Sequence, residues 1–191
     1  MKARLKFGEK AIYGGRIYYY SEPKRIWYDG GHFNEWLGRA VHINMKKLES
    51  EIRNSHAIKE VNFITFCYVL IPKFNIQKIG LLDESYFMYV EDLDYSYKVW
   101  KRGYKLYHIL SSRVYHKVGV SSGEDGISEF SAYWVMKNRI KFVLSYGSFF
   151  KILTALGFIL LTRPIKFLQF WIRGNKHIIV AQVKGIKDGI K

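Results

Sequence analysis

Five carboxylates fall within one short stretch, Ile79 to Tyr104 (IGLLDESYFMYVEDLDYSYKVWKRGY): Asp83, Glu84, Glu91, Asp92 and Asp94. His116 follows downstream. The chain has only 16 Asp plus Glu against 31 Lys plus Arg, a net charge of +15, so three acids inside four positions ask for a specific reason. Acids gathered ahead of a helix can hold a cation or accept a proton, and a later histidine can join them. A plainer account also fits: Asp92 caps a helix and suits its dipole, and Asp94 pairs with Lys98 one turn on.

The elements that must position these groups can be read from pattern. Leu93 to Arg102 is expected to be a helix, with Leu93, Tyr97 and Trp100 on its buried face, Asp92 at the N-cap and Gly103 just past the end. Phe87 to Val90 reads as a brief strand delivering Glu91 and Asp92 to a strand's carboxyl end, where α/β sheets place ligands. Ile12 to Tyr20 and Ile26 to Tyr28 read as strands, the second closed by the turn Asp29-Gly30-Gly31. Gly38 to Glu60 is polar and is expected to be a long loop. Val61 to Ile71 (VNFITFCYVLI) is the strongest strand candidate, apolar enough to be covered on both faces and ended by Pro72. Lys73 to Ile79 reads as a short helical turn stopped by Gly80, Tyr104 to Leu110 as another strand, and Val118 to Ser128 as a Ser/Gly-rich loop. After Glu129 the chain turns helical: Phe130 to Tyr146 is aromatic and basic, Phe149 to Trp171 mostly apolar, and Ile178 to Ile190 amphipathic.

With 191 residues, 49% hydrophobic and 17% aromatic, the chain can bury a core and is no disordered basic tail. Its single cysteine, Cys67, excludes an internal disulfide framework and fits a reducing compartment. No secretory signal is visible in the charged Met1 to Glu9 segment. The positive charge predicts an anionic partner. The longest charge-free run, Ile152 to Thr162, is too short to span a bilayer, which takes about 20 residues. Phe and Trp flanked by Lys151, Arg163, Lys166 and Arg173 therefore read as a helix lying in the membrane interface, the alternative being a helix packed on the domain or a partner. Nucleic acid ranks last as a partner, because the basic residues are spread along the chain and no nucleic-acid motif is present.

From Ile12 to the Lys184-Gly185 tail the chain resembles the C-terminal half of a family 2 glycosyltransferase of the rhamnosyltransferase-like branch. The matching elements are Ile26-Trp27 with Gly30-Gly31, Val61-Asn62-Phe63, Leu70-Ile71, Ile79-Gly80-Leu81-Leu82-Asp83-Glu84, Phe87 through Asp94, Gly103-Tyr104, His116 with Ser121-Ser122-Gly123, and Tyr133-Trp134 before Asn138-Arg139. The run from Ile79 to Asp94 is the specific part.

The resemblance implies an α/β fold, a partial GT-A (Rossmann-like) mixed sheet with C-terminal amphipathic helices. Residues 1–128 would be the acceptor-side part of the catalytic domain and residues 129–191 a membrane-associating helical region. It implies an inverting transferase using a UDP- or dTDP-sugar donor and moving a sugar such as rhamnose to a glycan or polyprenyl-linked acceptor, at the inner, cytoplasmic face of the cell membrane. Asp92 would be the base, kept ionised and weakly basic by the helix N-terminus, with Glu91 orienting it or binding an acceptor hydroxyl. Trp27, Gly30, Gly31, Asp83, Glu84, Tyr133 and Trp134 would bind substrate, and Asp94 would be structural on the helix surface. His116 would complete an Mg²⁺ or Mn²⁺ site at the donor diphosphate once a full donor site is present; a lone surface histidine is the alternative. Two departures stand out. Phe66-Cys67-Tyr68 replaces the Gly-small pair that usually lines the donor sugar, which predicts a narrowed or reshaped pocket. The family's nucleotide-binding half and its Asp-x-Asp motif find no counterpart before Tyr13, so a truncated product, a separately encoded half or a degenerate relative is expected. A non-catalytic accessory protein binding membrane or glycan is the competing reading.

Overall fold

A computed structural model describes residues 2–53, 57–117 and 127–191. The Ser121-Ser122-Gly123 element and most of the Val118 to Ser128 loop lie outside the described residues. Two compact units are formed from interleaved segments. The first is Met1–Phe33, Ala40–Glu84 and Glu91–Lys117; the second is Asn34–Arg39, Ser85–Val90 and Val118–Lys191.

The first unit is built on β1 (Ala11–Tyr19), buried along almost its whole length. The parallel strand β7 (Lys105–His116) pairs with one edge of β1. The other edge takes two antiparallel partners, β2 (Ile26–Tyr28) at Ile17–Tyr18 and β6 (Val69–Leu70) at Tyr13–Gly14. β5 (Ile58–Val61) closes the sheet antiparallel to β7, and β3 (Gly31–Asn34) with β4 (Arg39–His42) forms a separate two-stranded ribbon. Alternation along β1 serves two layers, as period-2 geometry requires. Ile12 joins Ile64, Leu106 and the helix residues Tyr95 and Val99 on one face. Ala11 and Tyr13 pack with Ala3 of α1 (Lys2–Phe7) on the other. α2 (Lys73–Ile79) ends at Gly80, whose φ of 98° is open to glycine at little cost. α3 (Glu91–Lys101) ends as expected at Gly103 (φ 75°): the Gly103 and Tyr104 N–H groups donate to Trp100 and Val99 carbonyls, a Schellman closure.

Several expectations fail for one reason: side chains take over backbone hydrogen bonds that a strand would have used. Val61 to Ile71 is not one strand. Asn62 exchanges bonds with both the N–H and the carbonyl of Phe33 (2.7 and 2.9 Å), and the Ser96 hydroxyl does the same for Ile64 (3.2 Å each). The ladder partners are thus satisfied locally and the chain folds over α3 instead. The polar Gly38 to Glu60 region is likewise no plain loop, since it contains β4, a single 3₁₀ turn at Glu49–Glu51 and β5. Trp100, placed on the buried face by its spacing, is 37% exposed, while Asp94, expected at the surface, is only 1% exposed and paired to Lys98 at 2.6 Å.

The second unit is helical. α4 (Glu129–Tyr146) is capped by Ser128, whose hydroxyl accepts from the Ser131 N–H at 3.1 Å. α5 (Phe149–Ile172) and α6 (Lys176–Gly189) complete it around Met136, Ile140 and Ile159. Gly185 and Gly189 let α6 approach α4 closely; a Cβ at either would lie 2.5 Å from the Tyr133 or Lys137 carbonyl oxygen. The structure also corrects the expectation that the apolar stretch is too short. α5 is one 24-residue helix, long and apolar enough by length and composition to cross a membrane.

Candidate active site

Glu91 opens α3 and Asp92 is its second residue, so Asp92 is not the N-cap. The residues before them are not a strand either. Phe87, Tyr89 and Val90 have φ of 56°, 65° and 73°, left-handed conformations that cost about 1–3 kcal/mol each for such side chains. What holds this loop is Asn138 on α4, fully buried, whose Nδ2 donates toward the carbonyls of Tyr86 (2.6 Å), Met88 (2.8 Å) and Tyr89 (2.9 Å). Asn138 belongs to the family resemblance, which assigns it no role. Asn138→Ala is expected to lose about 2–3 kcal/mol of stability, because it strands buried carbonyls. Urea denaturation should show this as a lower midpoint at unchanged slope.

Asp92 accepts the Leu93 N–H at 2.8 Å and bonds also with the Thr65 hydroxyl and the Phe66 backbone. These bonds favour the carboxylate, yet burial and the neighbouring Glu91 charge outweigh them and raise the Asp92 pKa to about 7. The expectation of a weakly basic, helix-stabilised Asp92 is therefore overturned: desolvation and a like charge beat the dipole. Burial raises Glu91 as well, and its buried Oε2 has no hydrogen-bond partner. The pair thus combines a carboxyl poised near neutrality with an unsatisfied buried oxygen, the arrangement a general base and its helper need.

Tyr28 links this pair to the second set of expected residues. It is fully buried, donates to the Phe63 carbonyl at 2.8 Å, and feels the Asp92 charge. Its ring meets His42 edge-on at 5.0 Å, and His42 meets Trp27 at 4.7 Å. Trp27 in turn meets His116, the last residue of β7, at 5.0 Å. His42, which pattern reasoning missed inside the supposed loop, therefore belongs to the same row as His116, and burial lowers the pKa of both. Gly30 and Gly31 are buried against protein: a Cβ on Gly31 would lie 2.3 Å from the Phe63 ring, and one on Gly30 3.2 Å from Val61. Asp83 is partly buried, and Glu84 is exposed in the 3₁₀ turn Glu84–Tyr86. Phe66 packs on Tyr95 at 5.5 Å, Cys67 is exposed, and Tyr68 bonds Ser112 at 2.7 Å.

Tyr133 and Trp134 lie in the second unit. There Trp134 gathers Phe87 (5.0 Å), Tyr133 (5.1 Å) and Phe130 (6.3 Å), with Lys137 Nζ 4.6 Å from its ring centre. Phe87 is 67% exposed despite its strained backbone. Among the described residues no three His, Cys, Asp or Glu side chains stand together as a metal-binding group.

No family model matches the chain. Over 75 residues it is 29% identical to N-acetylglucosaminyl-diphospho-decaprenol L-rhamnosyltransferase of Mycobacterium tuberculosis (strain CDC 1551 / Oshkosh), and equally to that of strain ATCC 25618 / H37Rv. The match covers 39% of this chain and 24% of the relative, so only about a quarter of the curated relatives' length is spanned. A crystal structure of GalNAc-T7 with UDP, GalNAc and Mn²⁺ superposes on 75% of this chain and 28% of its own, with a TM-score of 0.51 at 17% identity. The chain is similar to part of a family 2 glycosyltransferase, and its fold is GT-A-like. The mixed α/β sheet with helices expected from the sequence is the one observed.

Proposed function

We propose that this glycosyltransferase-like chain supplies the acceptor-side chemistry of an inverting sugar transfer from a UDP- or dTDP-sugar to a glycan or polyprenyl-diphosphate-linked acceptor. The observation that carries this reading is Asp92, held near pKa 7 beside Glu91 at the start of α3, after a loop kept in strained conformations. A base with a pKa near the working pH removes the acceptor hydroxyl's proton as that oxygen attacks the anomeric carbon and the nucleoside diphosphate leaves from the opposite face. Glu91 keeps Asp92 basic through its charge, and its unpaired oxygen accepts an acceptor hydroxyl. Trp134 with Phe87 and Phe130 offers aromatic faces on which sugar rings stack. Incubating the chain with UDP- and dTDP-sugars, Mn²⁺ and acceptor, alone and with a nucleotide-binding half added, tests the reading through release of nucleoside diphosphate. No release in any mixture would leave the accessory-protein reading standing.

The same reading places the chain on an anionic membrane surface, at the inner face. Along α5 the exposed residues Phe149, Leu153, Leu160, Leu161, Leu168 and Ile172 fall within an arc of about 140°, while the other side carries the buried Ala155 and Ile159, with Lys151 bound to Glu35 and Arg163 to Gln182. An exposed apolar face suits a helix lying among headgroups with its side chains in the acyl boundary, and the chain's net charge of +15 favours anionic lipid. Leu161→Asp combined with Leu168→Asp should weaken vesicle binding by at least about 100-fold, since each buried leucine contributes about 1.5–3 kcal/mol. Co-sedimentation with anionic vesicles measures it.

A further inference from the structure

A second basic feature lies in the helical unit, and its chemistry differs from that of the α5 surface. Arg139 on α4 donates from Nε to the Gly38 carbonyl (2.7 Å) and from Nη2 to the Leu37 carbonyl (2.8 Å), so it is fixed against the segment that carries the exposed Arg39. That segment is itself pinned. A Cβ on Gly38 would lie 2.4 Å from Val143 of α4 and 3.3 Å from Ala155 of α5. From α5, Arg163 reaches Gln182 through Nη1 (3.3 Å), while its Nε is buried with no hydrogen-bond partner. The three guanidinium groups lie close enough to repel one another: Arg139 feels Arg163 and Arg39, and Arg163 feels Arg39. Burial and that repulsion push the Arg139 pKa down to about 10.

Among the described residues no carboxylate is paired with any of the three. Glu35, on the same short segment, is bonded to Lys151 at 2.7 Å. Elsewhere this chain neutralises a buried arginine with care: Arg16 has Asp29 at 2.8 Å and Glu49 at 3.1 Å. Clustered like charges that include a buried N–H without a partner are unfavourable unless an anion joins them, and forked N–H donors match the oxygens of a phosphoryl group.

We propose that Arg39, Arg139 and Arg163 form a phosphoryl-binding site in the helical unit. The site takes a phosphate or diphosphate, carried either by a lipid headgroup or by a soluble molecule, and it does so whether or not the chain turns over a sugar.

The test uses the intact chain and two probes: inorganic pyrophosphate by calorimetric titration, and vesicles of phosphatidylcholine with or without phosphatidylglycerol. Arg163→Gln and Arg39→Gln are each expected to lose about ten-fold in pyrophosphate affinity, the scale of one charge-assisted contact. Lys78→Gln, on an exposed helix of the other unit, should bind as the wild type does. Arg39 is exposed, so its variant keeps the test valid if Arg163→Gln fails to fold. Displacement of the chain from phosphatidylglycerol vesicles by pyrophosphate identifies a lipid headgroup as the source. Pyrophosphate binding without any preference for phosphatidylglycerol identifies a soluble one. The Leu161→Asp, Leu168→Asp variant should retain pyrophosphate affinity, so failure of the membrane reading is told apart from failure of this one. No pyrophosphate binding by the wild type, or full affinity in both arginine variants, overturns the proposal.

Discussion

Replacing Asp92 by asparagine is expected to abolish sugar transfer while making the folded chain more stable at neutral pH. Loss of a positioned general base costs about 10²–10⁴ in rate. The stability effect runs the other way because the folded state binds the Asp92 proton more tightly than the unfolded chain does. Its pKa is about 7 when folded, against an ordinary 3.8. Stability therefore falls as pH rises from about 4 to about 7, and the penalty is complete above that range. Three units at about 1.4 kcal/mol each set a ceiling near 4 kcal/mol. Asp92 keeps some solvent contact, so a gain of about 2 kcal/mol for Asp92→Asn at pH 8, vanishing below pH 4, is the expected size. Thermal melts of both proteins across that range check it. A variant that loses activity and gains stability would mark Asp92 as a residue kept for chemistry.

The second large effect concerns Asp29, fully buried just after β2. Burial opposes its ionisation, but hydrogen bonds from His108 (3.1 Å), Arg16 (2.8 Å) and Asn44 (2.8 Å) outweigh that and hold its carboxyl well below the usual range. Asp29→Ala would leave the Arg16 guanidinium buried without its nearest counter-charge. Breaking a buried pair in this way costs about 3–5 kcal/mol. For a domain of this size that is a drop of roughly 10 °C in melting temperature, readable by calorimetry. Because the folded pKa is depressed, the stabilisation from Asp29 is present above the ordinary carboxylate pKa and is lost only as the pH falls through the folded value.

How much of this was legible in the sequence depends on where each backbone hydrogen bond goes. Helix ends set by local chemistry were readable: Gly80 and Gly103 stop α2 and α3 through left-handed backbone, and β1 and β2 followed from their apolar patterning. The run from Val61 to Ile71 was not, because the amide of Asn62 and the hydroxyl of Ser96, 29 and 32 residues from their partners, replace the ladder bonds. Phe87 to Val90 misled for the same reason, with Asn138 about 50 residues away holding its carbonyls. The acidic pair itself could be located by charge contrast and motif. Its electrostatics could not, since the burial that sets Asp92 near 7, against the lowering bonds from Leu93, Thr65 and Phe66, arises only once the chain has folded. His42 stayed hidden because nothing in its flanking sequence marks the aromatic row it joins.

The central claim, that Asp92 removes the acceptor's proton, is tested most directly by transfer of labelled sugar to a polyprenyl-diphosphate-linked acceptor. The assay follows wild type and Asp92→Asn from acid to alkaline pH, with a nucleotide-binding half supplied. The account predicts wild-type transfer that rises through about pH 7 and an asparagine variant slower by about 10²–10⁴ with no such rise. Equal transfer by the two proteins, or wild-type transfer that is flat through that range, would contradict it.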